Sequence, residues 1–412
     1  MAVIRPFKAL KPTREMASKV AALPYDVYSR AEARRVVENN PYSFLAIDRS
    51  ETQFPADHNM YAADVYRKAD SMIQEWTQKG IFVEDKEPCY YLWEMSAYGH
   101  TQTGLVACSA IDDYLNGVIR RHENTIREKE TDRTNHINVT SAQTGPIFLA
   151  YRNNQEIRDL IGNIKMRMPD LVFTSEGIVN SIWKIGSDAE IIKLTEAFGR
   201  LKNTYIADGH HRAASAVSVS LARRRKYPDY TGEEEFNYFL SVLFPDDELH
   251  IIDYNRVLKD LNGYSPRQIL EKLSDVFEVG PAQKEQVRPR KKGAMGFYMD
   301  GKWYRLEEKD ELKRYTPVGI LDVYYLQVNA LNPIWDIRLA NQKARVDYVG
   351  GIRGLDELER RCAQDCRAAF ALYPTSIQEL MAVADAGQLM PQKSTWFEPK
   401  LLSGLFIHRF ER

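Results

Sequence analysis

Apolar positions along this chain fall into short blocks of changing period, and the blocks predict strands alternating with helices. Ser29, with Glu32 three residues on, is a capping-box pattern, and the spacing after it predicts a helix from about Arg30 to Asn39, stopped by Pro41. Tyr61 to Lys79 repeats apolar residues at helical spacing and stops at Gly80. Tyr90 to Met95 and Gly104 to Ala110 read as two strands joined through a polar stretch with Gly99 in the turn. Gly145 to Tyr151, Ile178 to Ile185, Tyr238 to Phe244 and Ile251 to Tyr254 read as further strands, and Glu190 to Arg200 as a helix. Ser265 caps a helix that runs to Phe277, with Pro266 in its first position. Asp300-Gly301 joins Gly296–Met299 to Lys302–Leu306 as a hairpin. Leu321 to Ala330 reads as a helix ended by Asn332-Pro333, and Glu357 to Arg367 as another. Hairpins mixed with helices predict an α+β protein built on a mixed sheet.

One block departs from the regular alternation. Tyr205-Ile206-Ala207 is a short apolar run; Asp208-Gly209 breaks it; His210, His211 and Arg212 follow; Ala213 to Ala216 then favour helix. The pattern predicts strand, tight turn and helix, with Asp208 at the strand end and Gly209 supplying a close turn. His210, His211 and Arg212 would then occupy the first turn of a helix reaching about Arg225. Helix N-termini favour anions, phosphate above all, and an arginine adds a bidentate grip. A turn whose polar side chains merely satisfy local backbone would explain this block less well, because burying so many functional groups is costly.

Residues 117–136 form a second polar block, with little apolar surface after Ile119. Helical spacing would pair Arg120, Glu123, Arg127 and Glu130 on a solvated face. His122, His136 and several Asn and Thr residues among them leave a site role equally open. His122, Glu123 and His136 lack the spacing of a recognised metal motif, so no metal ligands are assigned. The tail, residues 387–400, carries Lys393 and Lys400 with two hydroxyl and two aromatic residues. It would cover a pocket and bring charge to it, or pack the C-terminus.

The chain has 412 residues and a net charge of −1, with a pI near 6.7. No global field therefore attracts nucleic acid. Apolar residues make up 44% and charged residues 27%, as in globular proteins. Met1 to Arg14 lacks the apolar core of a signal peptide, and no apolar run approaches the roughly 20 residues that span a bilayer. Cys89, Cys108, Cys362 and Cys366 include no CxxC pair. The expectation is a cytoplasmic protein with reduced thiols.

Several segments together resemble the bacterial domain-of-unknown-function family numbered 1015. They are Arg5-Pro6-Phe7, Pro24-Tyr25-Asp26-Val27, Asn40 to Leu45, His122 to Thr125 with Lys129 to Arg133, Asp208 to Arg212, and Met390-Pro391 with Lys393 to Phe397. More distantly, Asp208-Gly209-His210 with Arg212 is similar to the Asp-Gly-His-x-Arg motif of the free-serine kinases, which share a superfamily with the ParB nucleotide-binding domain and sulfiredoxin. The cysteine of sulfiredoxin is absent at this turn, and no ParB helix-turn-helix module is evident.

The resemblance implies a ParB/sulfiredoxin-like mixed-sheet core over about 150–255, completed by an N-terminal α/β segment, 1–149, with a C-terminal α+β region, 256–412. It further implies a phosphotransferase moving phosphate from ATP or ADP, with Mg2+, to a small hydroxyl substrate, free serine leading. Asp208, Glu123 and His210 are the catalytic candidates. Gly209, His210, His211, Arg212, His122 and Lys393 are the candidates for holding phosphate. A non-catalytic nucleotide-binding regulator and a phosphoester hydrolase with a histidine nucleophile are the alternatives.

Overall fold

A computed structural model describes residues 1–97, 99–338 and 342–410. The chain divides into two compact units, Met1–Leu249 with Pro399–Arg412, and His250–Glu398. The expected boundary at 149/150 falls instead inside one sheet, because strands on both sides of it pair with one another. The expected C-terminal region also loses its last residues, which return to the first unit.

The first unit is built on a nine-stranded sheet. Its strands are β1 (Ile4–Arg5), β2 (Tyr90–Ala97), β3 (His100–Ala110), β4 (Ile119–Arg120), β5 (Ile147–Tyr151), β6 (Leu171–Ser175), β7 (Ile178–Ile185), β8 (Thr204–Asp208) and β9 (Tyr238–Pro245). The spatial order is β4-β8-β5-β9-β3-β2-β7-β6, with β1 also pairing β3. The β4/β8 and β5/β9 pairs are parallel and the others antiparallel, so the fold is mixed α/β on a mixed sheet. Sequence periodicity missed β6, which pairs with β7 across Glu176-Gly177, both at positive φ.

Helices α1 (Arg30–Asn39), α2 (Ala63–Gln78), α3 (Arg127–Thr140) and α4 (His210–Lys226) matter most to the site. The capping box before α1 is formed, with the Ser29 N–H donating to Glu32 at 2.8 Å. Leu92, Leu105, Leu149 and Ile206 from the sheet bury against Ile157, Leu194, Phe198, Ala213 and Val217 from helices. A second cluster gathers Val37 of α1, Met72 and Trp76 of α2, and Phe44 to Ile47. No helix among the described residues is long and apolar enough to cross a membrane.

The second unit holds a six-stranded sheet. Its hairpin, Ala294–Met299 with Lys302–Glu308, turns at Asp300 and Gly301, with φ 54° and 74° as an Asp-Gly turn requires. Asn332-Pro333 does not end the preceding helix. A π turn over Gln327–Leu331 leads directly into Asn332–Trp335, where proline occupies an opening position that needs no N–H.

Candidate functional site

The site grows out of the end of β8. Thr204 to Ala207 are all at most 3% exposed, so this strand sits inside the sheet. Pairing with β5 slips by one residue between Ile206 and Asp208, a bulge at Ala207 that re-aims the strand end. Gly209 follows at φ 94°, ψ 30°, a left-handed conformation that strains any residue with a Cβ. Its N–H donates to Asp208 Oδ1 at 2.8 Å. Helix α4 then starts at His210, so His210, His211 and Arg212 form its first turn, as the sequence pattern predicts. The small residues Ala213 to Ala216 are buried and let α3 and α4 pack closely. Ser215 Oγ donates to the Glu130 carbonyl at 2.9 Å.

Arg212 folds back over the turn. A Cβ placed on Gly209 would stand 3.1 Å from its Nε and Nη2. Its Nη1 donates to the Pro146 carbonyl. Lys400, from the returning C-terminal segment, donates to Asp208 Oδ2 at 2.9 Å. Asp208 and Lys400 are 33% and 11% exposed at their side chains. The two Asp208 oxygens thus accept from Gly209 N–H and from the Lys400 ammonium.

The histidines are held by backbone. Strand β4 runs parallel to β8, with Ile119 opposite Thr204, so His122 arrives beside the turn. Its ring packs edge-on against His210 at 4.4 Å and 88°. The His122 N–H donates to His210 Nε2 at 3.4 Å, and the Ile126 N–H to His211 Nε2 at 2.9 Å. As neutral rings, His210 and His211 therefore carry hydrogen on Nδ1. His122 is 1% exposed. Burial lowers its pKa to about 4, against the raising effects of an Ile206 backbone hydrogen bond and the Asp208 charge. Its Nδ1 is buried without a hydrogen-bond partner.

Residues 120–126 are strand end and loop rather than the helix expected there; α3 begins only at Arg127. Glu123 is half-buried in that loop, next to His122. Nor is α3 a solvated helix all round, since Arg133, His136, Ile137 and Thr140 are buried on one side. Arg133 pairs with Asp132 at 2.8 Å and lies 4.2 Å from the Tyr25 ring. Burial disfavours its charge, but Asp132, Tyr25 and Asp48 more than offset this and raise its pKa. His136 is pushed the other way, by burial and then by the Arg133 charge.

A cavity of about 200 Å3 opens beside this face, lined among others by Tyr25, Asp26, Asp48, Lys129, Arg133 and His136. A smaller one next to it shares Tyr25, Asp48, Arg133 and His136 and is also lined by Arg212. Sequence reasoning missed two contributors. Asp48 to Thr52 are five polar residues, all buried, that carry no pattern or motif marking them in the sequence; Arg49 is held by Glu51 and by the Tyr25 and Tyr28 carbonyls. Lys400 was visible only as a tail lysine, because its contact to Asp208 spans 192 residues of chain. Lys393, the candidate from the same tail, belongs to the second unit, where its ammonium lies 5.9 Å from the Tyr254 ring.

The family model "Protein of unknown function (DUF1015)" matches residues 4–324. The chain belongs to this family. No curated protein sequence matches it. Solved structures similar to it include a free serine kinase variant in complex with ADP, at 12% identity and TM-score 0.37, covering 71% of this chain and 87% of that one. A conserved hypothetical protein from Pyrococcus furiosus matches at 13% identity and TM-score 0.36, covering 74% and 94%. C-terminally truncated SbnI from Staphylococcus aureus matches at 11% and 0.36, covering 72% and 85%.

Proposed function

We propose that this DUF1015 protein is a nucleotide-dependent phosphotransferase acting on a small hydroxyl substrate, with free serine the first to test. One observation carries the reading: a carboxylate, Asp208, stands at the mouth of a long helix whose first turn also holds Arg212, with Lys400 alongside. Phosphoryl transfer needs this combination of an anion cradle and a group that orients or deprotonates the attacking hydroxyl. The motif similarity to the free-serine kinases points the same way, and a ParB/sulfiredoxin-like core belongs to the same reading.

In the proposed reaction the acceptor hydroxyl oxygen attacks the terminal phosphorus of ATP or ADP. The bond from that phosphorus to the bridging oxygen breaks, and ADP or AMP leaves with the electron pair. The hydroxyl proton passes to Asp208. Arg212 and the α4 N-terminus hold phosphoryl oxygens, while His210 and His211 fix residues 122–126 beside the turn. Glu123 is the second carboxylate of the site. Among the described residues no group of three or more His, Cys, Asp and Glu forms a cage for a metal ion. Mg2+ fits in another way, since it is commonly held by one or two carboxylates plus substrate phosphates and water. When bound it would supply charge neutralisation for the phosphates.

The engagement of both Asp208 oxygens favours a second reading, a nucleotide-binding regulator without turnover. Hydrolysis through a histidine nucleophile is weakened, because Nε2 of both His210 and His211 already accepts a backbone N–H. The protein incubated with serine and ATP or ADP over a range of divalent ions is expected to yield phosphoserine. Nucleotide binding without phosphoserine would select the regulator, and phosphate release without an acceptor the hydrolase.

A further inference from the structure

We propose that Lys400 is an exchanging phosphate ligand: it neutralises Asp208 in the ligand-free protein and transfers its ammonium to the phosphate when an anion occupies the turn. This rests on the functional reading above and deepens it. Asp208 Oδ2 accepts from Lys400 at 2.9 Å and Oδ1 accepts from Gly209 N–H at 2.8 Å. A carboxylate accepting from an ammonium holds its negative charge firmly and takes a proton poorly. Asp208 therefore serves a hydroxyl group only after Lys400 has left Oδ2.

The same geometry supplies a reason for Lys400 to leave. Arg212 lies over Gly209, one residue beyond Asp208, and the partial positive charge of α4 points at that place. A phosphate there carries more charge than a carboxylate and offers more acceptor oxygens, so it competes well for an ammonium on a long stem. Displacement of Lys400 by a few ångströms requires only side-chain rotation. A separate observation marks the turn as incompletely satisfied, since His122 Nδ1, beside His210, is buried without a partner. The exchange would couple the two halves of the reaction: anion binding uncovers the carboxylate, and an empty site keeps it covered. Lys400 reaches the turn because the chain returns after Glu398, with Ile407 N–H donating to the Leu10 carbonyl at 2.9 Å and His408 Nε2 meeting Glu235 at 2.6 Å.

The test uses the full chain and inorganic pyrophosphate. Crystal structures with and without pyrophosphate should show Lys400 Nζ on a phosphate oxygen in the first and on Asp208 Oδ2 in the second. In parallel, calorimetric titration compares Lys400→Met with Lys400→Arg, each in the Asp208→Asn background so that no bared carboxylate repels the ligand. There Lys400→Met should weaken binding about ten- to a hundredfold, the worth of a charge-assisted contact, and Lys400→Arg should recover most of it. Pyrophosphate bound at the turn with Lys400 still on Asp208, or a Lys400→Met effect below about twofold, overturns the exchange and leaves the phosphotransferase reading standing. Pyrophosphate that does not bind at the turn overturns both.

Discussion

Arg212 and Asp208 belong to one turn and act on an anion with opposite sign, which makes them separable by substitution. Arg212→Ala removes a fixed cation, and affinity for ADP should fall about ten- to a hundredfold, because a charge-assisted contact is worth about 1.5–3 kcal/mol. Asp208→Asn keeps shape and removes negative charge beside the phosphate, so affinity should hold or rise. Turnover should nevertheless fall by about 10² or more if Asp208 orients or deprotonates the acceptor. Calorimetry beside a phosphoryl-transfer assay reads both effects, with a melting curve to confirm folding. Full turnover in Asp208→Asn would remove it from the chemistry. His122 invites a different measurement. Its pKa of about 4 keeps it neutral near pH 7, so with its ring hydrogen given to the Ile206 backbone it has an acceptor rather than a donor left. An NMR titration should place its midpoint well below the usual 6.5, and a midpoint at or above that value would return His122 to the phosphate-donor role expected from sequence.

At the scale of elements, the site depends on one bulge and one left-handed residue. The bulge at Ala207 turns the end of β8, and Gly209 lets α4 start at once. Gly209→Ala should cost about 1–2 kcal/mol from the positive φ alone. It should also displace the Arg212 guanidinium, since the added Cβ would press within 3.1 Å of it. The expected outcome is a lowered Tm together with lost ADP binding. A variant that melts like the parent and binds ADP equally well would show that Arg212 does not need its place over the turn. The strand–glycine–helix sequence of this element was legible because its signals are local: an apolar run, Asp-Gly, then small helix formers. The capping box at Ser29, the cap at Ser265 and the Asp300-Gly301 hairpin were legible for the same reason. The bulge was not, since it is a mismatch between two strands and leaves no mark on either alone. Asp48 to Thr52 were hidden by their polarity. Their burial is compensated by partners such as Tyr25, Thr144 and Arg133, which only the fold brings together.

At the scale of the whole molecule, the two units should respond to pH with opposite slopes. His122 in the first unit has a folded-state pKa of about 4 against 6.5 unfolded, so the unfolded chain binds more protons between these values. Its contribution to stability is present above pH 6.5 and is lost as pH falls towards 4. In the second unit burial, and then the neighbouring Asp322 charge, raises Glu308 to about 7, while burial raises Asp322 to about 6. Their contribution is present below the unfolded values near 4 and is lost as pH rises through 6 to 7. The two slopes can be separated by taking the second unit out. His100 Nε2 meets the Glu248 carbonyl at 2.7 Å, and Gln102 Nε2 donates to the Pro399 carbonyl at 3.5 Å. The chain thus leaves the first unit and re-enters it against neighbouring residues of one strand, β3. A Gly/Ser linker of about eight residues, with an end-to-end reach of roughly 15 Å, should therefore replace His250–Glu398 without opening the first unit. The shortened chain should melt cooperatively, gain stability from pH 4 to 6.5 and show no loss from pH 6 to 7. It should also bind pyrophosphate like the full chain, because Asp208, Gly209, Arg212 and Lys400 are all retained. Chemical denaturation at several pH values and calorimetry measure the two properties independently. A folded first unit that no longer binds pyrophosphate would show that the turn at Gly209 is insufficient as an anion site.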